Sequence, residues 1–306
     1  MLRYDDLQVF VHTSDSGSLS AAARQLEISP AVASAALKRL ESELEVRLFA
    51  RSTRSLRLTP EGDAFLQHAR ASLRSLEEGR RLLQGGKDQI AGVLQLSAPS
   101  DFGRNLLLPW LDEFQARYPQ LSLRLLLGDR VTDLYRQPVD VAIRYGAPAD
   151  SSLVALPLAP DNRRVLCAAP GYLAERGEPR PPDALRAHNC LLYQLGGRVH
   201  DRWAFQRGRR SLTLTVAGDR VCDDADVVRR WALAGKGLVY KSWLDVAEDV
   251  RAGRLRLLLP EWQGEATPMN LLCTHRAQLT RPVTLLRAFV RERCDALLAE
   301  APWTRN

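Results

Sequence analysis

The sequence predicts an α+β protein, built as an N-terminal winged helix-turn-helix, a long linker helix, and an α/β region large enough for two lobes. Three observations carry this. Short capped helices fill the first sixty or so residues, a leucine heptad pattern follows, and from about Ala91 strand and helix patterns alternate to the C-terminus. The length, 306 residues, suits about two domains.

Leu7, Phe10 and Val11 recur at i, i+3 and i+4 and give a first helix its apolar face, which the Ser, Asp and Gly of 14–17 end. Ser18 is placed to cap a short Ala-rich helix over 19–26. Ser29 followed by Pro30 is a cap followed by the residue best suited to a first helical turn. A third helix therefore runs to about Leu44, with Ala33, Leu37, Leu40 and Leu44 as its buried stripe. The short break between the second and third helices makes a helix-turn-helix pattern. Arg54, Leu56, Arg57 and Leu58 lie in an extended stretch that reads as a small β wing. Thr59 as cap and Pro60 at the first helical position restart helix. Leu66, Ala69, Leu73, Leu76 and Leu83, with Arg80 in the seam, then keep heptad spacing. Such a seam calls for a partner helix, packing on its own domain being the alternative, and Gly85 and Gly86 end it as a hinge. The predicted boundaries are 1–59 for the winged domain, 60–89 for the linker and dimerisation helix, and 90–306 for the α/β region.

In that region strands are predicted at 93–98, 121–127, 139–144, 164–168, 190–193, 237–240, 255–259 and 269–273. Helices are predicted at 105–117, 225–234 and 283–298, with a short polar helix before 139 and a hairpin over 203–216. The alternation implies largely parallel sheets.

Apolar residues at 45% and charged residues at 26% exclude disordered, collagen-like and low-complexity classes. No stretch approaches the roughly 20 apolar residues of a membrane span, and the charged N-terminus lacks a signal-peptide core, so a cytoplasmic protein is expected. Five cysteines, irregularly spaced and without a C-x-x-C pair, read as reduced thiols, with Cys167 and Cys273 in core strands. Neither a metal site nor a cysteine redox pair is expected: His188 and Cys190 are isolated, and Cys167 lies far from Cys190 across a Pro-rich loop. G-x-S-x-G, H-E-x-x-H and Walker sequences are missing, since Gly235-Lys236-Gly237 lacks its flanking residues, and no enzyme is predicted.

The net charge of +7 does not mark a nucleic-acid-binding segment: residues 1–90 hold 13 basic and 12 acidic side chains, and the remainder 30 and 24. Pattern is more telling. A helix-turn-helix inserts the start of its second helix in the major groove, where small residues allow close approach. Ser29, Pro30, Ala31, Ser34, Ala35, Lys38 and Arg39 would form that face. No acid lies between Arg47 and Arg57, so Arg51 and Arg54 would anchor the wing on phosphates or in the minor groove.

The segment FVHTSDSGSLSAAARQLEIS from Phe10, then LESELEVRLFARSTR from Leu40, and Leu58-Thr59-Pro60-Glu61-Gly62 resemble the winged helix-turn-helix of LysR-type transcriptional regulators. The match runs from Leu7 to about Gly62, and the order of domains resembles that family over the whole chain. The resemblance implies a periplasmic-binding-protein-like effector domain, with lobe I about 90–161 and 268–306 and lobe II about 162–267. It also implies dimerisation through the linker helix, a homodimer to homotetramer on a double-stranded DNA operator, and a small-molecule effector with no other cofactor. RNA polymerase is a further partner that such control allows for. One departure stands out. The family commonly has Ser-Gln-Pro and Ser-Arg-Gln where this chain has Ser29-Pro30-Ala31 and Ser34-Ala35-Ala36. Base readout should be thinner, relying on Ser34, Lys38, thymine-methyl contacts from Ala31 and Ala35, and DNA shape.

By the same resemblance the effector contacts are the strand ends: Ser100, Asp101 and Phe102, then Asp129, then Arg144, Tyr145 and Gly146, with Tyr193, Asp223 and Asp224 from the second lobe. Asp101 and Asp223 could instead cap helices, and Tyr193 could be a packing residue. Arg144 is the most telling. An Arg at the end of a buried strand needs an anion, either a ligand carboxylate or an internal partner such as Asp101 or Asp129. The charge of the effector stays open at this point. The alternative class, a solute-binding or enzymatic α/β protein with a helical N-terminal domain, is discriminated by the N-terminal segment, which only a regulator needs.

Overall fold

The computed structural model describes residues 1–51, 56–84, 90–129, 139–146 and 152–304, without the side chains of 51, 74, 78, 81–84 and 277. Arg54, the Gly85 and Gly86 hinge and the helix expected before 139 lie outside the described residues, as do the side chains of Arg51 and Leu83. The chain forms two compact units, Met1–Gln89 and Ile90–Asn306.

The first unit runs α1 (Tyr4–Ser16), α2 (Leu19–Gln25), α3 (Pro30–Leu44), β1 (Phe49–Arg51), β2 (Leu56–Leu58) and α4 (Pro60–Gln84). Local chemistry sets these boundaries. Gly17 ends α1 in the left-handed conformation at φ 64°. The Ser18 and Ser29 side chains accept hydrogen bonds from the amides of Ala21 and Val32, as N-caps do. Thr59 Oγ1 accepts from Gly62 N at 2.9 Å to start α4. Gly62 has a steric reason: a Cβ there would sit 2.1 Å from the Leu48 carbonyl oxygen, so α4 can approach the wing only with glycine. The strands β1 and β2 pair antiparallel, Phe49 opposite Leu58 and Arg51 opposite Leu56. Phe10 lies fully buried against Phe49 and Phe65.

The second unit runs β3 (Gly92–Ala98), α5 (Ser100–Phe102), a π-helical turn (Gly103–Leu107), α6 (Leu108–Arg117), β4 (Leu121–Leu127), β5 (Val141–Tyr145) and β6 (Val154–Ala159). It crosses to β7 (Arg164–Ala168), α7 (Pro170–Arg176), β8 (Cys190–Leu195), β9 (Arg198–Val199), β10 (Arg202–Arg207), β11 (Arg210–Thr215) and β12 (Val221–Cys222). There follow α8 (Ala225–Leu233), β13 (Leu238–Ser242), α9 (Trp243–Arg251), β14 (Arg256–Leu258) and β15 (Gln263–Gly264), before the chain returns in β16 (Met269–Cys273) and α10 (Arg281–Leu298). One sheet has the order β4-β3-β5-β16-β6 and the other β12-β8-β13-β7-β14, with β9 paired to β8. The hairpin β10–β11 and β15 form a small third sheet.

Two expectations need correction. The sheets are mixed rather than largely parallel: β16 pairs antiparallel with β5 and β6, and β13 and β14 pair antiparallel with β7. The double crossover brings the returning β16 into the first sheet against the direction of its neighbours. The helix expected at 105–117 begins at Ser100 and includes the π-helical turn. The strand β6 and the helices α7 and α9 had no counterpart in the sequence reading.

Buried leucines, valines and aromatics from both lobes form one continuous apolar cluster, from Leu96, Phe102 and Phe114 to Val228, Trp243 and Phe289. A second cluster fills the far side of the second sheet, where Tyr240 lies 5.3 Å from Trp203 and 5.1 Å from Phe205 between ring centroids. All five cysteines are free thiols, and Cys167 and Cys273 are buried in their strands. Burial pushes the Cys190 and Cys294 thiols up to about 12, which keeps them protonated and inert at neutral pH. Among the described residues no helix is long and apolar enough to cross a membrane.

Candidate effector cleft and nucleic acid interface

The N-terminal part of α3 presents Ser29, Pro30, Ala31, Val32, Ala35 and Lys38 on its exposed side, and Ser34 is half-buried. Val32, absent from the sequence reading, is 51% exposed and adds an apolar methyl pair to this face. Arg39 is also exposed on this helix, and it is ion-paired within the domain. Its Nε and Nη2 donate to the Asp6 carboxylate at 3.2 and 2.6 Å, so one edge of its fork is held within the domain. Arg47 is likewise not a free wing cation: it donates to Glu41 at 2.8 Å, and the same buried carboxylate accepts from Leu48 N at 2.9 Å, which fixes the approach to β1. Arg57 on β2 is exposed.

The heptad reading of α4 is also corrected in part. Leu66 and Ala69 are buried among Leu7, Phe10, Leu37, Leu40, Leu48 and Phe49, and Leu73 packs partly on the same cluster. The first half of the seam therefore faces its own domain. Leu76, 59% exposed, is the seam residue left facing outward among those whose side chains are described, and Arg80 beside it pairs with Glu77 at 3.1 Å.

In the second unit a cleft of about 300 Å³ opens where the ends of β3, β4 and β5 face those of β7, β8 and β13. From the first lobe Asp101, Asp129, Arg144, Tyr145 and Gly146 line it, and from the second Tyr193 does. The remaining sequence candidates do not. Phe102 is fully buried against Trp110, with ring centroids 5.7 Å apart, because α5 turns this side chain into the core. Ser100 is buried beneath the cleft and shares the Ala225 amide with Asp129, whose Oδ2 accepts it at 2.7 Å. Asp224 is the N-cap of α8, accepting from the amides of Asp226 and Val227, and is held bidentate by Arg104 at 3.0 and 2.8 Å. Burial would raise its pKa, but the Arg104 and amide hydrogen bonds outweigh that and lower it. Asp223 lies outside the cleft lining. The capping alternative thus holds for neither Asp101 nor Asp223, since Pro99 and Asp224 occupy those cap positions.

The electrostatic centre of the cleft is a group that the sequence marks only as part of a pocket cue, Tyr240-Lys241-Ser242-Trp243, and not as an effector contact. Lys241, in the middle of the buried strand β13, is 1% exposed, and its ammonium pairs with Asp101 and, at 3.2 Å, with Asp245 while donating to Ala225 O. Tyr145 donates its hydroxyl to the same Asp245 at 2.6 Å. Asp101 comes from the first lobe and Lys241 from the second, so this pair ties the lobes across the cleft floor. Burial, opposed by Lys241 and reinforced by the neighbouring Asp245 carboxylate, pushes Asp101 up to about 7. Alongside, Arg164 donates to Glu265 at 2.5 Å and to the Tyr193 hydroxyl, and His200 lies 2.9 Å from the same Glu265. The backbone of β15 crosses close over Arg164: a Cβ on Gly264 would lie 2.0 Å from the Arg164 carbonyl oxygen. A lysine inside Leu238-Val-Tyr-Lys-Ser242 was the available signal, since a cation in an apolar strand needs a carboxylate partner.

Arg144 departs from both internal partners that the sequence offered. Asp101 is taken by Lys241, and Asp129 is held by the Ser100 amide and hydroxyl and the Ala225 amide. The Arg144 guanidinium instead donates to Ile143 O at 2.7 Å and Ser97 Oγ at 2.9 Å.

Comparison with known proteins accounts for both units. Residues 4–63 match the family described as bacterial regulatory helix-turn-helix protein, lysR family, and residues 87–295 match the LysR substrate binding domain. The chain is 32% identical over 275 residues to the HTH-type transcriptional regulator DmlR of Escherichia coli (strain K12), covering 90% of this chain and 88% of that protein. It is 32% identical over 283 residues to the HTH-type transcriptional activator TtdR of the same strain, covering 92% and 89%. Among solved structures, CrgA, a LysR-type transcriptional regulator from Neisseria meningitidis, superposes with a TM-score of 0.60 at 30% identity, over 95% of this chain and 98% of that one. A helix-turn-helix with its small-residue face outward, and a cleft closed by two α/β lobes, are what this kinship requires. The chain belongs to the LysR family of DNA-binding transcriptional regulators.

Proposed function

We propose that the cleft of the 90–306 unit is the effector site, and that its occupancy changes how the 1–89 unit engages an operator. The observation that supports this most is the origin of the cleft walls: Asp101, Asp129 and Arg144 come from one lobe, and Arg164, Tyr193 and Lys241 from the other. A molecule that touches both sets binds one lobe arrangement better than another, which is the condition for a ligand to shift an equilibrium. On DNA, Ser29, Ala31, Ser34, Ala35 and Lys38 enter the major groove with Pro30 opening the helix, and the wing arginines Arg51, Arg54 and Arg57 hold the backbone or minor groove. Leu76 and Leu83, with Leu73 at the margin, pair α4 with a second copy, giving a homodimer or homotetramer. Such a regulator works in the cytoplasm, alters recruitment or action of RNA polymerase, and needs no cofactor or catalysis beyond its effector.

The test is a fluorescence anisotropy titration of the full chain against DNA selected from a random pool, with and without a ligand found by thermal shift. Saturating ligand is expected to change DNA affinity about fivefold or more. Ala266→Trp, which fills the cleft at its exposed rim, is expected to remove that response. A variant that responds as the parent does would place the effector elsewhere.

A further inference from the structure

A second cavity, of about 330 Å³, lies in the second lobe away from the interlobe cleft, and the two share only Arg164. That guanidinium is engaged on the cleft side, by Glu265 and the Tyr193 hydroxyl. Half-buried Trp262 and Trp303 form apolar walls of the second cavity with Pro260 and Pro302, and the exposed Glu261 and Gln263 lie at its rim. The turn that carries Trp262 is held under strain. Buried Leu259 sits at φ 53°, a left-handed conformation that costs a leucine energy and is disfavoured again by the following Pro260. Trp262 N closes the turn on Leu259 O at 2.9 Å. Strain of this kind collects where a binding surface has to be held in shape.

The tip of the β10–β11 hairpin stands beside the same rim. Gln206 of β10 is opposite Gln263 of β15, and the Arg210 guanidinium carbon lies 5.7 Å from the Trp262 ring centroid. Arg207 is directly opposite Arg210, and Gly208 at φ 57° with Arg209 makes the turn between them. Like charges in directly opposed positions of a hairpin destabilise it. Here the three arginines are exposed, and among the described residues none is ion-paired.

We infer that this cavity and the hairpin tip together form a binding site for a purine nucleotide, separate from the interlobe cleft. The ring enters between Trp262 and Trp303, its amino group meets Glu261 or Gln263, and its phosphates lie on Arg207, Arg209 and Arg210. Guanidinium forks match phosphate oxygens in pairs, and a di- or triphosphate carries charge enough for all three arginines, which a single carboxylate does not. Aromatic side chains take a base by stacking. The cavity holds about eleven water volumes at about 30 Å³ each, enough for a purine ring and its amino group. A neutral aromatic would leave the arginines unanswered, and inorganic phosphate would leave the cavity unfilled.

The test is calorimetry and thermal shift on the full chain with ATP and GTP, set against adenosine, guanosine and inorganic triphosphate. At least one nucleotide is expected to bind and to raise the melting temperature, with its nucleoside and inorganic triphosphate each at least about tenfold weaker. Arg207→Gln with Arg209→Gln changes only exposed side chains and is expected to weaken the nucleotide about tenfold or more while leaving the nucleoside as it was. Trp303→Leu is expected to weaken nucleotide and nucleoside alike about tenfold and to spare inorganic triphosphate. Ala266→Trp, which fills the interlobe cleft, is expected to leave nucleotide binding unchanged. Four results would each overturn the inference: no binding of either nucleotide, inorganic triphosphate binding as tightly as the nucleotide, binding indifferent to the paired arginine changes or to Trp303→Leu, and binding lost in Ala266→Trp. The last would put the nucleotide in the cleft, and the third would leave a polyanion held elsewhere on the chain.

Discussion

Replacing Lys241 by Met keeps the length of the side chain and deletes its ammonium. Lys241 and Asp101 are each 1% exposed and Asp245 is 8% exposed, so the variant confines two carboxylates without their shared cation. Breaking a buried ion pair on one side costs about 3–5 kcal/mol. For a unit of this size, at about 2–4 °C per kcal/mol, the melting temperature should fall by about 6–20 °C. All six tryptophans, Trp110, Trp203, Trp231, Trp243, Trp262 and Trp303, lie in the 90–306 unit, so intrinsic fluorescence follows this unit without interference from the other. The loss should also depend on pH. Asp101 titrates at about 7 in the folded chain against an ordinary 3.8, so the folded state holds a proton over that window that the unfolded state has released. Stability from this group is therefore greatest below about pH 4 and declines as pH rises through 7. With the ammonium gone the carboxylates hold protons more tightly still, and the deficit of Lys241→Met relative to the parent should shrink from pH 8 to pH 5. The double variant Lys241→Met with Asp101→Asn should recover most of the loss. A deficit below about 1 kcal/mol, or one that does not change with pH, would refute the ion cluster as the tie between the lobes.

Further consequences can be measured independently. Leu76→Glu alters an exposed residue that the fold does not use, so it should leave helicity intact and split the oligomer; an unchanged mass by light scattering would remove α4 as the interface. Lys38→Ala with Arg57→Ala should make the salt dependence of DNA binding shallower by about 2 in slope, as losing two phosphate contacts does, and an unchanged slope would reject both contacts. Arg39→Ala should lower the stability of the 1–89 unit through the abandoned Asp6 and leave the salt slope alone; a shallower slope would return Arg39 to the DNA. Glu265 lies below its ordinary pKa despite burial, because His200 and Arg164 hold it ionised, so its contribution should be lost as pH falls through the acidic range, opposite in sign to Asp101. A Glu265→Gln variant that keeps the parent's acid sensitivity would contradict this.

The helical N-terminal domain was legible because its signals act within four residues. Ser18, Ser29 and Thr59 cap the helices that their neighbours predict, and no distant contact competes. The strands at 121–127, 164–168 and 269–273 were legible from their apolar runs, but their directions depend on a crossover that periodicity does not record. Heptad spacing identified α4 as amphipathic but could not say what covers each turn; Leu66 and Leu76 share a pattern and meet different surroundings. Ion pairing was the hardest part to read. Arg39 finds Asp6 and Lys241 finds Asp101 across long sequence separations, Arg47 turns back to the nearby Glu41, and each pairing changes which charge is left for a ligand. The anomaly at Arg144 was visible as a charge in a buried strand, and only the geometry could show that its internal partners were already engaged.

The most direct test of the account is DNase footprinting of the full chain on its in vitro selected DNA, with and without a ligand that saturates the cleft. The account predicts that ligand binding changes the affinity or the extent of the footprint, and that Ala266→Trp gives the unliganded pattern at every ligand concentration. A ligand shown by calorimetry to fill the cleft, with affinity and footprint both unchanged, would contradict it.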